Sequence, residues 1–306
     1  MKTNYANGKL LITGEYLVLE GANSLAIPCA KGQKIDYVPN NKINTIDWTS
    51  LDYLNNKWFS ANFEADSLDI LSSSDNQKAK HLQKMLIEAY KLSNNKLSGQ
   101  IKTTLEFPNN WGLGSSSTLI VCISKLLKIN PLDLHFKSSN GSGYDVACGI
   151  YNKAITYLIN NKKPIIKEVD FNLPFAKNIY FIHLNKKQKS EKEIIRFKKE
   201  IKKKSINVNS ISEITAKMID CDDINLFNEL IEEHENIISY YINKKPIKNE
   251  QFSDFKGAIK SLGAWGGDFI MASAQNNCSE YFRFKGFNTV IPYEEMIKNP
   301  SINVNN

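Results

Sequence analysis

The apolar positions of the chain recur with two different periods, so the sequence predicts both helices and strands. Between residues 76 and 93, Leu82, Met85, Leu86 and Ala89 follow the i, i+3, i+4, i+7 spacing of one helix face. Further helices are predicted at 116–128, 191–204, 222–242 and 251–262. Shorter runs rich in β-branched and aromatic residues predict strands at 8–20 (two runs around a Gly-Glu turn), 34–39, 43–50, 99–107, 154–160, 164–171, 178–185 and 269–274.

These elements follow one another without a regular strand–helix alternation. The mixture therefore predicts an α+β fold rather than a series of βαβ units. The chain has 306 residues, of which 42% are hydrophobic and 23% charged, which suits one large globular domain or two intimate ones. No internal repeat and no long low-complexity linker divides it.

The remaining bulk features predict a cytoplasmic protein that does not enter a membrane. No apolar run approaches the ~20 residues that span a bilayer, and the first residues lack the pattern of a signal peptide. The five cysteines are scattered and show no CxxC spacing. They are therefore expected to be reduced thiols, with neither a disulfide framework nor a zinc site.

The net charge of +7 is concentrated in one segment, residues 186–205, which holds ten Lys/Arg and three Glu. Because the rest of the chain is neutral, a broad basic surface for nucleic acid is not expected. The favoured interpretation is a solvated helix with Ile194, Ile195, Phe197 and Ile201 packed inward. A basic flap close to an anionic substrate is the alternative.

The segment "NWGLGSSST" at 110–118 joins a predicted strand ending at Pro108 to an apolar helix. Strand, glycine-rich turn and helix start form an arrangement that binds phosphate, because backbone N–H groups point outward at an electropositive helix end. The serines are also able to cap the helix or to offer hydroxyls to phosphate or Mg²⁺. Neither a Walker A loop nor a GxGxxG motif is present. An ordinary capped helix after a tight turn explains the segment equally well.

Two more small-residue turns add to this pattern. "NGSGYDVACGIY" at 140–151 places Asp145 immediately before apolar sequence, a position where an aspartate is usually a helix cap. "SLGAWGGDF" at 261–269 is a second glycine turn, expected between a helix and a strand, where backbone can approach a ligand closely.

Taken together, four segments in this order resemble the motifs of the GHMP kinases, the family of galactokinase, homoserine kinase, mevalonate kinase and phosphomevalonate kinase. "GKLLITGEYLVLEG" is similar to the first motif of the mevalonate-pathway members, "PNNWGLGSSSTL" to PxxxGLGSSAA, "GSGYDVACGIY" to GSGxD, and "GAWGGD" to GAGGGD. The resemblance spans residues 8–268. It implies an N-terminal nucleotide-binding domain over 1–175 and a C-terminal ferredoxin-like domain over 176–306.

The resemblance also implies roles for individual residues. ATP and Mg²⁺ are the expected cofactors, with Lys9 beside the transferred phosphoryl group and Asp145 facing the substrate and paired with that lysine. The loop expected to wrap the ATP phosphates comprises Gly112, Leu113, Gly114, Ser115, Ser116 and Ser117, with Ser116 also a ligand of Mg²⁺. The expected substrate-binding residues are Glu15, Tyr16, Ser142, Gly143, Gly263, Gly266, Gly267 and Asp268.

The first motif favours phosphomevalonate as acceptor, because "GEYLVLE" resembles phosphomevalonate kinases more than the GEHxVVxG of mevalonate kinases. Mevalonate is the second choice. The expected partner is thus a small anionic molecule, bound by a monomer or a homodimer.

Three departures from the family pattern leave a catalytically silent, ligand-sensing protein open, and a structural protein with chance glycine turns is the third alternative. Trp265 replaces a glycine, so its ring is expected either to crowd the phosphates or to turn outward and pack. Ser117 and Thr118 replace the usual alanines. The short 117–144 segment lacks the glutamate expected as second Mg²⁺ ligand, and Asp133 is a weak substitute.

Overall fold

The computed structural model describes residues 1–151, 153–187, 190–202 and 204–298 of the chain. The chain divides into two compact units. Unit 1 comprises Met1–Gly8, Lys31–Asn109 and Leu113–Ile150, and unit 2 comprises Lys9–Ala30, Asn110–Gly112 and Tyr151–Asn306. Two long strands thus pass from one unit into the other. The domain boundary expected near residue 175 stays a prediction.

The strands belong to two sheets. The larger sheet contains β1 (Lys2–Leu11), β2 (Ser24–Pro39), β3 (Thr45–Leu51), β4 (Lys57–Glu64), β5 (Ile70–Ser73), β6 (Gly99–Leu105), β7 (Ile155–Asn160) and β8 (Lys163–Glu168). The smaller sheet contains β9 (Ile179–His183), β10 (Ala258–Ser261), β11 (Phe269–Ser273) and β12 (Val290–Pro292). The helices are α1 (Asn76–Leu92), α2 (Ser115–Leu127), α3 (Pro131–Ser138), α4 (Tyr144–Ile150), α5 (Ser190–Ile201), α6 (Asn209–Ile219), α7 (Ile224–Ile242), α8 (Ile247–Gln251), α9 (Ser279–Phe284) and α10 (Tyr293–Met296).

Unit 1 packs helices α1–α4 with one part of the larger sheet, in the strand order β5-β4-β3-β6-β2. Strands β3 and β6 are parallel, whereas β4 pairs antiparallel with β3 and β5. Alternating side chains of β3 and β4 are buried, as expected for strands with one face on a core. The core joins Trp48 and Phe63 from the sheet to Leu86 of α1 and Val121 of α2.

Unit 2 contains the smaller sheet, in the antiparallel order β10-β11-β9-β12. The hairpin of β7 and β8 also belongs to this unit, and β7 pairs with residues 24–26 of β2. Helix α7 packs against β10, and α5 and α6 pack against α7. The buried cluster on the smaller sheet includes Ile182, Phe252, Ile270 and Phe282.

The structure confirms most of the elements predicted from the sequence and corrects several. Residues 17–20 form a 3₁₀-helix (Leu17–Glu20) instead of the second strand of a hairpin. Residues 251–262 hold the end of α8 and the strand β10, so the helix predicted there is wrong. The glycine turn at 262–268 consequently lies between two strands of the smaller sheet.

The basic segment forms the amphipathic helix α5, although one of its four predicted inward residues was assigned wrongly. Phe197 and Ile201 are buried and Ile194 is half-buried, whereas Ile195 is 58% exposed. Residues 188, 189 and 203 of this segment lie outside the described residues. Helix α5 therefore presents most of its described cations to solvent.

Two further observations concern the cysteines and the helices. All five cysteines are buried free thiols, as their scattered spacing predicts. Among the described residues, no helix combines the length and the apolar character needed to cross a bilayer.

Candidate active site

Helix α2 begins directly after the glycine turn, and no side chain caps its N-terminus. The N-cap residue is Gly114, in the left-handed conformation with φ 91°. By contrast, Asp75 and Asn130 accept backbone N–H groups at the starts of α1 and α3. The Ser117 hydroxyl, one of the expected caps, instead donates to the Gly114 carbonyl at 2.9 Å. Because Gly114 has no side chain that could accept the first N–H groups of α2, this helix start suits an anion.

The three serines of the turn have different surroundings. Ser115 is half-buried and its hydroxyl donates to Asn109 Oδ1 at 3.2 Å. Ser117 is buried against the backbone of its own helix, and only Ser116 is exposed. Of the three hydroxyls, that of Ser116 is therefore the one placed to meet a bound ion.

Contacts within unit 1 hold this turn in place. The Thr118 hydroxyl bonds Gln33 Oε1 of β2 at 2.7 Å, and both side chains are buried. At Gly8, a Cβ would lie 3.0 Å from the Leu113 carbonyl oxygen and 3.1 Å from that of Lys31. The backbone of the glycine turn thus approaches the sheet as closely as a residue without a side chain permits.

Asp145 lies in the same unit as the start of α2. It is half-buried in the first turn of α4, where its Oδ1 accepts the Val146 N–H at 3.0 Å. Helix α4 packs against α2, with Gly149 of α4 next to Val121 of α2. Ser142 and Gly143, expected to bind substrate, are buried just before α4. Asp145 therefore lies inside the first turn of α4 and not at the cap position, and its role at the substrate stays a prediction.

Lys9 belongs to unit 2, where it meets the first glycine of the turn. Its Nζ donates to the Gly112 carbonyl at 3.0 Å, and the side chain is 9% exposed. Gly112 has φ 68°, and a Cβ there would lie 2.5 Å from Asp268 Oδ2. The structure thus brings together Lys9, Gly112 and Asp268, three of the predicted site residues. The predicted pairing of Lys9 with Asp145, which lies in the other unit, stays a prediction.

Aromatic side chains fix the segment that carries Gly112. Trp111 packs edge-to-face on Phe269 of β11, with ring centroids 5.3 Å apart. The neighbouring Asn110 carbonyl lies 3.3 Å from His183 Nε2 of β9. The segment 110–112 therefore contacts two strands of the smaller sheet, β9 and β11, and Asp268 directly precedes β11.

Trp265, the main departure from the family pattern, is buried within unit 2. Its side chain is 2% exposed, and its backbone N–H donates to the Tyr16 hydroxyl at 3.0 Å. Its backbone carbonyl accepts from Lys244 Nζ at 3.4 Å. The ring therefore does not project into solvent from the third glycine turn.

Glu15, expected to bind substrate, is the centre of a fully buried ion cluster. Its Oε1 lies 2.5 Å from Lys260 Nζ, and its Oε2 lies 3.3 Å from His234 Nε2. Lys260 Nζ also lies 3.4 Å from Glu235 Oε1, while Ser261 donates to Glu235 Oε2 at 3.0 Å. Lys260 thus pairs with Oε1 of Glu15, whereas the buried Oε2 has no hydrogen-bond partner among the described residues. The role of Glu15 at the substrate stays a prediction.

Burial sets the protonation of this cluster. Burial, together with the neighbouring Glu235, raises the pKa of Glu15 to about 7 against the attraction of Lys260. Burial likewise raises the pKa of Glu235. Burial and the charge of Lys260 hold the pKa of His234 well below its usual value, so the imidazole is neutral. Its Nε2 accepts the Gly14 N–H at 3.0 Å, which places the imidazole proton on Nδ1.

The sequence analysis missed the partners of Glu15. Lys260 is the one charged residue in β10, a four-residue strand whose members are all buried. The adjacent pair His234–Glu235 lies among the mostly apolar buried residues of α7. A lysine within a short run of residues that reads as buried is the sequence signal that could have predicted the cluster, because a buried ammonium group needs a carboxylate partner.

The residues near the glycine turn can be tested for their fit to Mg²⁺. In the described ranges, no group of three or more His, Cys, Asp or Glu side chains is arranged to hold a metal ion. Asp133 is exposed in the first turn of α3. Mg²⁺ commonly keeps most of its shell as water and phosphate oxygens. The exposed Ser116 hydroxyl fits such a site as a single protein ligand.

The contact of Gly112 with Asp268 leads to a stability prediction. Replacing Gly112 with alanine is expected to cost about 2–4 kcal/mol, because the left-handed backbone penalises a Cβ by roughly 1–2 kcal/mol and the carboxylate must also move. Gly263→Ala is the matched control, since Gly263 has φ 66° but no atom within 4 Å of a Cβ. Urea unfolding measures both; equal losses would show that Asp268 does not constrain Gly112.

Comparisons with known proteins are consistent with this geometry. No protein-family model and no curated protein sequence matches the chain. Among solved structures, it is similar to the Lin0012 protein from Listeria innocua, with a TM-score of 0.72, 16% identity, and coverage of 95% of this chain and 96% of that one. It is also similar to phosphomevalonate kinase from Streptococcus pneumoniae, solved with phosphomevalonate and AMPPNP, with a TM-score of 0.68, 17% identity, and coverage of 95% of this chain and 99% of that one. With mevalonate kinase from Methanococcus jannaschii the TM-score is 0.66 and the identity 16%, with coverage of 95% of this chain and 96% of that one. The chain therefore has the two-domain α+β fold of the GHMP kinases, as its motifs predict.

Proposed function

We propose that this protein is an ATP-dependent small-molecule kinase that transfers the γ-phosphoryl group of ATP to phosphomevalonate. The observation that carries the proposal is the start of α2 directly after the glycine turn, where the N-cap residue Gly114 has no side chain to bond the first N–H groups. An electropositive helix start and a buried lysine are the elements that compensate phosphate charge. The fold shared with several kinases supports the same conclusion.

In this proposal the chain contributes positioning and charge rather than covalent chemistry. The N–H groups of residues 115–117 bind the nucleotide phosphates, and Lys9 neutralises charge on the transferred group. The glycines of the turn let the backbone approach those oxygens. Mg²⁺, when bound with ATP, supplies further neutralisation, and Ser116 is the residue that would hold it.

The role of Asp145 depends on the acceptor. If the acceptor is a phosphate, as in phosphomevalonate, no general base is needed, and Asp145 positions Lys9 and keeps it charged. If the acceptor is the mevalonate hydroxyl, Asp145 is the candidate base. Both roles are proposals; within its own unit, Asp145 is a half-buried residue of the first turn of α4.

Phosphomevalonate is favoured over mevalonate by the first motif, "GEYLVLE", and by "GSGYDVA". A phosphorylated acid also suits the cations of α5, the weaker of the supporting observations. Mevalonate remains the second candidate because mevalonate kinases share the fold at similar scores. A ligand-sensing protein on this fold is the remaining alternative, since a fold does not by itself establish turnover.

Purified protein incubated with Mg-ATP and one of four acceptors, phosphomevalonate, mevalonate, galactose or homoserine, tests the proposal. ADP release is expected with phosphomevalonate at a rate well above the rate with the other three. ADP release with mevalonate alone would replace the acceptor while keeping the kinase. ATP binding in a calorimeter without ADP release from any acceptor would contradict the kinase and favour the sensor.

A further inference from the structure

The backbone at Tyr16 adopts a conformation that is rarely stable without external support. Tyr16 has φ 62° and ψ −48°, and the Leu17 N–H donates to the Glu15 carbonyl at 2.7 Å. A three-residue turn with this i to i+2 hydrogen bond and a positive φ is a γ-turn of the rare, strained kind. Strain of this sort persists where the surrounding structure over-determines it, and such places cluster at functional sites.

Buried contacts on both sides of Tyr16 hold the turn. Before it, the Gly14 N–H donates to His234 Nε2 at 3.0 Å, and the Glu15 carboxylate is paired with Lys260. A larger residue does not fit at Gly14 without a shift of Ser24, because a Cβ there would lie 2.0 Å from Ser24 Oγ and 2.6 Å from Ser24 Cβ. After it, the Val18 N–H donates to the Gly14 carbonyl at 2.9 Å.

The Tyr16 side chain is fixed as firmly as its backbone. Its ring packs on Phe197 of α5, with centroids 5.3 Å apart, and the residue is 7% exposed. Burial raises the pKa of the hydroxyl, so it stays neutral and accepts the Trp265 N–H. The strained turn therefore delivers one hydrogen-bond acceptor to the middle of the third glycine turn.

From Trp265 the third glycine turn continues to Asp268, whose own backbone is pinned. The Asp268 N–H donates to the Lys186 carbonyl at 2.7 Å, and its carbonyl accepts the Leu184 N–H at 2.8 Å. Asp268 adjoins Gly112, and Gly112 accepts from Lys9. Tyr16 thus holds the middle of the third turn at Trp265, and the backbone of Leu184 and Lys186, just after β9, holds its end at Asp268.

We infer that Tyr16 is a positioning residue whose hydroxyl, aimed by the γ-turn, holds the third glycine turn in the conformation that sets Asp268 against Gly112. Its effect on turnover rests on the proposed kinase function, whereas its effect on the turn does not. The residues just before Tyr16 are held by a buried cluster, in which Gly14 contacts His234 and Glu15 contacts Lys260. This cluster, which also includes Glu235, fixes the position of the γ-turn.

Tyr16→Phe tests the inference through hydrogen exchange, which needs no activity. Losing the acceptor of a buried N–H is expected to speed exchange in the 262–268 peptide by about three- to tenfold, the range that one net hydrogen bond represents. Tyr281→Phe is the matched control, because its hydroxyl bonds Asp254 at the surface. Unchanged exchange over 262–268 in folded Tyr16→Phe protein overturns the inference.

A kinetic arm separates positioning from general stability. If the protein is a kinase, Tyr16→Phe is expected to raise the KM of the acceptor about three- to tenfold, with a smaller change in kcat, while Tyr281→Phe changes neither. If the wild-type protein lacks kinase activity but Tyr16→Phe still exchanges faster over 262–268, the positioning role is supported and the proposed function is removed. Equal acceptor KM values for wild type and Tyr16→Phe, in an active enzyme, contradict the positioning role.

Discussion

Replacing Lys9 by methionine is expected to lower kcat about 10³-fold while Mg-ATP still binds. Methionine keeps the unbranched, apolar part of the side chain but removes the charge that, in the proposed mechanism, stabilises the transferred phosphoryl group. Losing one such donor commonly costs about 10²–10³ in rate. Lys9 is almost completely buried, so water cannot replace its ammonium group efficiently. Coupled ADP-release kinetics measure the rate, and calorimetry measures nucleotide binding.

The matched control is Lys125→Met. Lys125 also donates to a backbone carbonyl, that of Tyr5 at 2.7 Å, but it does so in the last turn of α2 and at the surface. Its replacement is expected to leave kcat within about twofold, as surface substitutions rarely exceed roughly 0.5 kcal/mol. Equal kcat values for Lys9→Met and wild type would remove Lys9 from the proposed mechanism.

Replacing Lys260 by methionine is expected to destabilise the protein by about 3–5 kcal/mol at pH 8, because it leaves buried carboxylates without a cation. Lys260 is completely buried and is the described cation that contacts both Glu15 and Glu235. Chemical unfolding measures the loss. In Lys260→Met/Glu15→Gln the nearer charge is also removed, and much of the stability is expected to return.

The loss in Lys260→Met should be smaller at pH 5 than at pH 8. The folded protein holds the pKa of Glu15 at about 7, above its ordinary value of 4.5, so between these values it binds a proton that the unfolded chain has lost. Stability therefore falls as pH rises through this window. Because Lys260 lowers that pKa, its removal extends the window upward. An equal loss at both pH values, with no recovery in the double variant, would show that the cluster is not charged as described.

The elements that the sequence predicts correctly are those with a long, regular pattern. Helix α1 and helix α2 each present an apolar stripe that only a helix can bury on one side, and both appear within a residue or two of the predicted bounds. Strand β10 fails this test: its four residues are all buried and show no alternation, so its pattern does not distinguish a strand from a helix. Tertiary pairing with β11 decides its conformation.

The candidate site divides in the same way. The glycine turns and their order follow from the sequence, because a residue without a side chain leaves a local signature. The strained turn at Tyr16 does not, since "EYLVLE" reads as a strand and its conformation depends on contacts with α7 and β10. The ion pair of Glu15 with Lys260 joins residues 245 positions apart, and no local period carries that information.

That separation affects how the nascent chain reaches its final state. During synthesis from the N-terminus, the carboxylate of Glu15 leaves the ribosome long before the ammonium group of Lys260. The first motif therefore cannot form this buried ion pair until most of the polypeptide has been synthesised. Contacts between such distant residues pay their loop-closure entropy late and slow folding. Closure of the buried cluster around Glu15 is therefore expected to be among the last events in folding.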